Sequence, residues 1–407
     1  MFGIKTRATA RLLFPVVLVA AVSVCGIGPA VALPPLPGAP AAPAQDEFYT
    51  QPDDLTGRGM GEVLDSRPVT LRDVPARVPL TAWQVKYVSQ DTKGVPWTTV
   101  ATIIQPVGGA RLDRLVAYDP WIDALDPRCN PSYQLRAGAP FMAGSGMLTE
   151  VINLAVLLDR GYTVVVPDYL GPRNHFTAAY VEGRNTLDGI RAALGFAPAG
   201  LARSAPVGMF GYSGGARGTE FAAELAAEYA PELNLVGTVA IGLPVDLRAS
   251  GWRMNKTLFA GLDVASALGL ARAYPELGLA AMFTDPQLEQ RISDLCNVEI
   301  QARYAFADGH DMTFGRRWPL DEPAVVAAVD SIRAGQLGTP AAPLYLAVAE
   351  NDQVALPADN DRLAADYRAR GVALTYVKVP LADHVSSISV AGPPAMTWLS
   401  ERLDGAA

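Results

Sequence analysis

Ser213 lies between two glycines in the run Ala205-Pro206-Val207-Gly208-Met209-Phe210-Gly211-Tyr212-Ser213-Gly214-Gly215-Ala216. Gly211 and Gly215 fill the outer positions of G-x-S-x-G, the pattern of a serine held on a sharp strand-to-helix turn. A side chain at either glycine would crowd the neighbouring strand or helix, or block the hydroxyl. In a chain with 37 glycines the five-residue pattern is a weak signal by itself. Its surroundings strengthen it. An apolar strand leads in, and Phe221, Ala222, Leu225, Ala226 and Tyr229 follow at helical spacing until Pro231. The strand Leu235–Ile241 comes next.

A serine hydroxyl attacks only if a base removes its proton, and that base needs an acid to hold its tautomer. In strand–turn–helix hydrolases the chain order is serine, acid, histidine. The chain has three histidines. His175 precedes the serine. His310 stands between Asp308 and Asp311 inside an irregular helical stretch. His384, after a strand and before the last helix, is the expected base. Asp352 follows the strand Leu344–Ala349 and is the expected acid, with Glu350 as the alternative and helix capping as its bland role. Asp383 is too near His384 to reach its far nitrogen. The oxyanion needs donors. One is expected from the N–H of Gly214 and a second from the segment Asp119 to Asp123. Asp308, His310 and Asp311 lack the further ligands a metal would require, so no metal is expected there. Asp168 reads as structural.

The elements that must position these residues are legible in outline. Strands are expected over 82–88, 98–105, 115–118, 162–166, 235–241, 344–349 and 373–379, with a turn at 91–94. Helices are expected over 148–159, 186–194, 357–370 and 394–403. Strands alternating with helices give an α/β fold with a mostly parallel sheet. Residues 247–335 are leucine- and alanine-rich without a convincing strand. They read as a helical cap inserted between two parts of the core, 46–246 and 336–407, with larger-fold core helices as the alternative. No internal repeat is visible.

The start of the chain reads as an address. Lys5, Arg7 and Arg11 precede the apolar run 12–24, and Ala30-Val31-Ala32 offers a cleavage site, so 1–32 is expected to be a signal peptide and the protein secreted. A retained membrane anchor is the alternative. Residues 33–45 form a Pro-rich spacer without a fold. Removing the three positive charges of the leader takes the formal net charge from −8 to −11. So acidic a chain has no electrostatic route to nucleic acid. Cys129 and Cys296 remain, and in an oxidising compartment they most simply make one disulfide, two buried thiols being the alternative.

Taken together, Asp46-Glu47-Phe48-Tyr49, Tyr118 to Tyr133, Gly161 to Gly171, Leu187-Asp188, Gly211 to Ala216 with Ala230 to Leu235, and Asp352 with His384 resemble the secretory lipase family of the lipase A type. The resemblance covers most of the mature chain. It implies an α/β-hydrolase core, a helical lid, a Ser213–Asp352–His384 triad and no cofactor. In that family an aspartate shortly before a cysteine serves the oxyanion, which carries over to Asp123, six residues before Cys129. The family usually has other residues at Asp119-Pro120-Trp121. The Cys129–Cys296 bridge would tie the oxyanion loop to the cap. The implied activity is hydrolysis of lipid or other carboxylic esters, and whether it works at a lipid–water interface is not legible. A soluble carboxylesterase, an acyltransferase and a non-catalytic lipid-binding protein are the competing readings. Oligomeric state is not legible.

Overall fold

The computed structural model describes residues 39–405. The expected signal peptide and residues 33–38 of the spacer lie outside the described residues. The end of the spacer is not structureless, as expected from its proline content, because Pro43–Gln45 closes a short 3₁₀ turn and Pro43 is buried.

Nine strands form one sheet: β1 (Val63–Val69), β2 (Leu80–Gln90), β3 (Pro96–Pro106), β4 (Arg111–Asp119), β5 (Tyr162–Pro167), β6 (Val207–Tyr212), β7 (Leu235–Ile241), β8 (Leu344–Ala349) and β9 (Leu374–Val379). Their order is β1-β2-β3-β5-β4-β6-β7-β8-β9. The pairs from β1 to β5 are antiparallel, and those from β5 through β9 are parallel. The connecting helices are α1 (Pro131–Ala137), α2 (Ala139–Ser145), α3 (Met147–Asp159), α4 (Ala179–Gly195), α5 (Gly214–Tyr229), α6 (Leu247–Met254), α7 (Ala260–Ala273), α8 (Leu288–Ser293), α9 (Asn297–Tyr304), α10 (Pro323–Ser331), α11 (Pro357–Ala369) and α12 (His384–Gly405).

The central strands are buried on both faces, which is why they read as β-branched runs. Alternate residues go to opposite layers. Val116, Tyr118, Phe210 and Tyr212 pack with α3 and α12, while Leu115, Ala117, Val207 and Met209 pack with α4 and α5. Residues 247–335 contain α6 to α10 joined by 3₁₀ turns, with one isolated bridge between Phe283 and Thr313 as the β pairing described there.

The short helices α1 and α2 were not expected, and three further elements differ from expectation. The edge strand β1 was unpredicted because its sequence, Val-Leu-Asp-Ser-Arg-Pro-Val, shows no clean alternation. Helix α4 starts seven residues earlier than position 186, since its buried face includes Glu182, Asn185, Thr186 and Asp188 and hides the apolar period. Helix α12 begins at His384 and runs through Pro393 and Pro394, so the histidine is on the first helical turn and not on a free loop.

The order β5-β4-β6 means that the chain steps to one side of β4 and then returns to the other. Such a switch opens a crevice at the carboxyl ends of the flanking strands. Asp119 at the end of β4 is paired with Gly211 of β6, and the turn bearing Ser213 rises beside it. Here Gly215 permits a backbone-on-backbone approach. A Cβ on it would stand 1.8 Å from the Asp119 carbonyl oxygen. Replacing Gly215 by alanine should therefore destabilise the fold by at least about 3 kcal/mol, since no flexible side chain can yield. Gly59→Ala, with nothing within 4 Å of the new methyl, should change the unfolding midpoint little. Denaturant unfolding of the two variants compares them directly.

Candidate active site

Ser213 sits at φ 54°, ψ −118° between β6 and α5. This is a costly conformation for a residue with a side chain, on the order of 1–3 kcal/mol, and it persists only where the surroundings impose it. Two constraints do so. The Ser213 N–H donates to the Ile241 carbonyl at 2.8 Å. Gly211 faces the start of α5, where a Cβ would lie 2.2 Å from the Gly215 carbonyl oxygen.

Ser213 Oγ is 2.8 Å from His384 Nε2. His384 Nδ1 is 2.9 Å from each carboxylate oxygen of Asp352. With the carboxylate on Nδ1 the proton belongs there, leaving Nε2 to accept from the serine hydroxyl. Asp352 is itself held, since its Oδ1 accepts from the N–H groups of Val354 at 2.9 Å and Ala355 at 2.7 Å. It does not cap a helix; the N-cap of α11 is Leu356. The loops carrying Asp352 and His384 are stitched together by Glu350 N–H to Val379 and Asn351 N–H to Ala382. Glu350 is exposed and Asp383 is occupied by Ser386. The imidazole lies against the Tyr212 ring at 5.4 Å and meets the edge of Phe259 at 6.4 Å.

The loop after β4 brings Asp123 to the same place. It is anchored by Thr186, which donates to Asp119 Oδ2 at 2.7 Å, and by Tyr169, whose hydroxyl donates to the Pro120 carbonyl at 2.9 Å. Asp123 has φ 42° and is 3% exposed. Its Oδ2 accepts from Asn297 Nδ2 at 3.0 Å, and its Oδ1 is buried with no partner. That free oxygen lies over Gly214, where a Cβ would be 1.9 Å from it. Burial pushes the Asp123 carboxyl up to about 7, against the attraction of His384 for its charge. Two more buried acids stand nearby. Glu150 is pushed up to about 8 by burial and accepts from the Tyr118 hydroxyl. Asp119 is raised well above the usual carboxylate range, again by burial.

The other histidines are elsewhere. His175 is buried against Trp97, at 5.1 Å between rings, and burial lowers it to about 4. His310 packs on Trp252 and Trp318 while bonding Asp308 at 2.9 Å. Asp308 and Asp311 are paired with Lys256 and Arg316, and no cluster of three or more ligating side chains exists among the described residues. Asp168 accepts from the backbone and hydroxyl of Ser132, a structural role.

Cys129 and Cys296 are bonded, with Cα atoms 5.5 Å apart across 167 residues of sequence. The bridge joins the 3₁₀ turn that follows the loop carrying Asp123 to the start of α9.

With this geometry in view, the profile of the secretory lipase family matches residues 135–407. The chain belongs to the secretory lipase family. Among its relatives is a probable inactive lipase of Mycobacterium tuberculosis, 35% identical over 382 residues, covering 90% of this chain and 83% of the relative. A secreted triacylglycerol lipase of Malassezia globosa is also 35% identical, over 376 residues, covering 89% of this chain and 82% of that one. The X-ray structure of Candida antarctica lipase A superposes with a TM-score of 0.84 at 26% identity, over 91% of this chain and 88% of that one. The fold of this family member is the α/β-hydrolase fold.

Sequence reasoning missed Asn297, the side chain that holds Asp123. Its signal was available, because it directly follows Cys296. The disulfide is expected to stabilise the fold through the long loop it closes. Cys129→Ser should cost roughly 2–5 kcal/mol, read from denaturant unfolding, and reduction of the unmodified protein should reproduce the loss.

Proposed function

We propose that this protein is a secreted lipase that hydrolyses lipid carboxylic esters through an acyl-enzyme on Ser213. The observation that supports it is the continuous relay Ser213–His384–Asp352, at 2.8 and 2.9 Å, with the serine on a strained turn. Likeness alone does not decide, because the probable inactive lipase and the secreted triacylglycerol lipase are equally similar to this chain. The relay favours catalysis over a lipid-binding shell.

In the reaction, His384 Nε2 takes the hydroxyl proton as Ser213 Oγ attacks the ester carbonyl. The oxyanion is held by the Gly214 N–H and by the protonated Asp123 carboxyl. His384 then gives its proton to the departing alcohol, and water releases the acid by the reverse of these roles. Asp352 keeps the imidazole oriented and stabilises its cation. Ser213 and His384 are 3% and 5% exposed, so a lipid reaches them by displacement of cap residues such as Phe259, and a lipid–water interface is the natural trigger. The leader before residue 33 would export the chain, and the domain boundaries at 246 and 335 mark the inserted cap.

Hydrolysis of short, medium and long triglycerides, below and above their solubility, tests the function. The unmodified protein should label with a phosphonate at Ser213 and Ser213→Ala should not. Asp352→Asn, which holds the wrong tautomer, should lose about 10⁴-fold in kcat. Absence of labelling at Ser213 would leave only the lipid-binding reading, and labelling without ester hydrolysis would favour the acyltransferase.

The acid assigned to Asp123 has a pH signature. Its neutral form donates and its carboxylate cannot, so kcat should decline as pH rises through about 7. Folding stability should follow the same direction, fully favoured below the ordinary aspartate range and weakening as pH rises through about 7. Asp123→Ala should lower kcat about 10²- to 10³-fold. Asp123→Asn, a donor that does not titrate, should remove this alkaline decline. A pH–rate profile unchanged in the asparagine variant would exclude the assignment.

A further inference from the structure

Asn297 is wholly buried, yet it belongs to the cap and not to the sheet that carries the nucleophile. Its Nδ2 donates to Asp123 Oδ2 at 3.0 Å. Its Oδ1 accepts from Gln301 one turn further along α9, which fixes the way the amide points. A neutral carboxyl carries its one proton on one of two oxygens, and an oxygen that faces an N–H donor must accept. Oδ2 faces such a donor. The proton therefore belongs on Oδ1, which is buried, unpartnered and turned over Gly214.

We infer that Asn297 is a positioning residue that holds the Asp123 proton on Oδ1, aimed at the oxyanion formed beside Ser213. The inference rests on the reading of Asp123 as an oxyanion donor. Without the amide, both oxygens compete for the proton and the carboxyl is free to turn about its Cβ–Cγ bond. Only a fraction of its orientations then present a donor to the reacting carbonyl. The disulfide supports the arrangement. Asn297 and Asp123 are 174 residues apart in sequence, and the bridge between Cys296 and Cys129 joins their immediate neighbourhoods.

The electrostatic surroundings of Asp123 give the inference a readout that a packing role lacks. His384, Arg217 and the Asn297 amide favour its ionised form, whereas burial and Glu182 oppose it. Glu150, Tyr169 and Tyr212 also sense its charge. Removing the amide takes away one interaction that favours the carboxylate, so the neutral acid should persist to higher pH.

The experiment compares kcat and KM against pH for the unmodified protein, Asn297→Ala and Asp123→Ala, with a soluble p-nitrophenyl ester. For Asn297→Ala, kcat should fall about tenfold at the pH optimum, KM should stay within about twofold, and the alkaline decline should move to higher pH. Should this variant fail to fold, Asn297→Asp keeps the side-chain volume and carries the same test. It should lower kcat similarly and move the decline further up, since two facing carboxyls share a proton. A fall in kcat with an unmoved alkaline decline would reduce Asn297 to a packing residue. Unchanged kcat in Asn297→Ala, alongside a large loss in Asp123→Ala, would overturn the positioning role and leave the donor standing. Unchanged kcat in Asp123→Ala would remove the donor reading itself, and this inference with it.

Discussion

The candidate site depends on how closely two stretches of bare backbone can meet. The amino end of α5 presses Gly215 onto the carbonyl of Asp119, and Gly211 clears the same helix from below. That approach forces Ser213 into positive φ and puts the Gly214 N–H beside the loop that ends in Asp123. Every other part of the site is arranged around this contact. The β4–β6 register brings Asp119 opposite Gly211, and the parallel strands β8 and β9 deliver Asp352 and His384 to the same edge of the sheet.

Around the contact the protein concentrates carboxyl groups in surroundings that disfavour their charge. Asp119, Asp123 and Glu150 are buried, and burial raises all three. Asp352 differs from them in its partners. It accepts two backbone N–H bonds as well as the histidine, whereas one oxygen of each of the other three has none. Hydrogen-bond donors favour the charged form of a carboxyl group, and a buried one stripped of donors is suited to keep its proton.

Much of this was legible in the sequence, for physical reasons. Strands buried on both faces must be continuously apolar, so β5, β7 and β8 stood out with nearly correct bounds. The glycines at 211 and 215 and the short list of histidines narrowed the serine, base and acid to the residues the structure brings together. What stayed hidden depends on neighbours distant in the chain. Edge strand β1 carries no alternation to read. Helix α4 buries Glu182 against Arg217 at 3.0 Å, so its inner face looks polar until the partner is known. The amide of Asn297 acquires meaning only when the fold carries it to Asp123. Pro394 suggested a helix start, whereas α12 tolerates Pro393 and Pro394 in its middle and reaches back to His384.

The order of the parts along the chain has a consequence during biosynthesis. A ribosome releases residue 213 with its strand and turn well before residues 352 and 384 exist, and helices α6 to α10 intervene. No polypeptide that stops short of residue 384 can form the hydrogen-bonded chain Ser213–His384–Asp352. Until then Ser213 has no imidazole beside its hydroxyl.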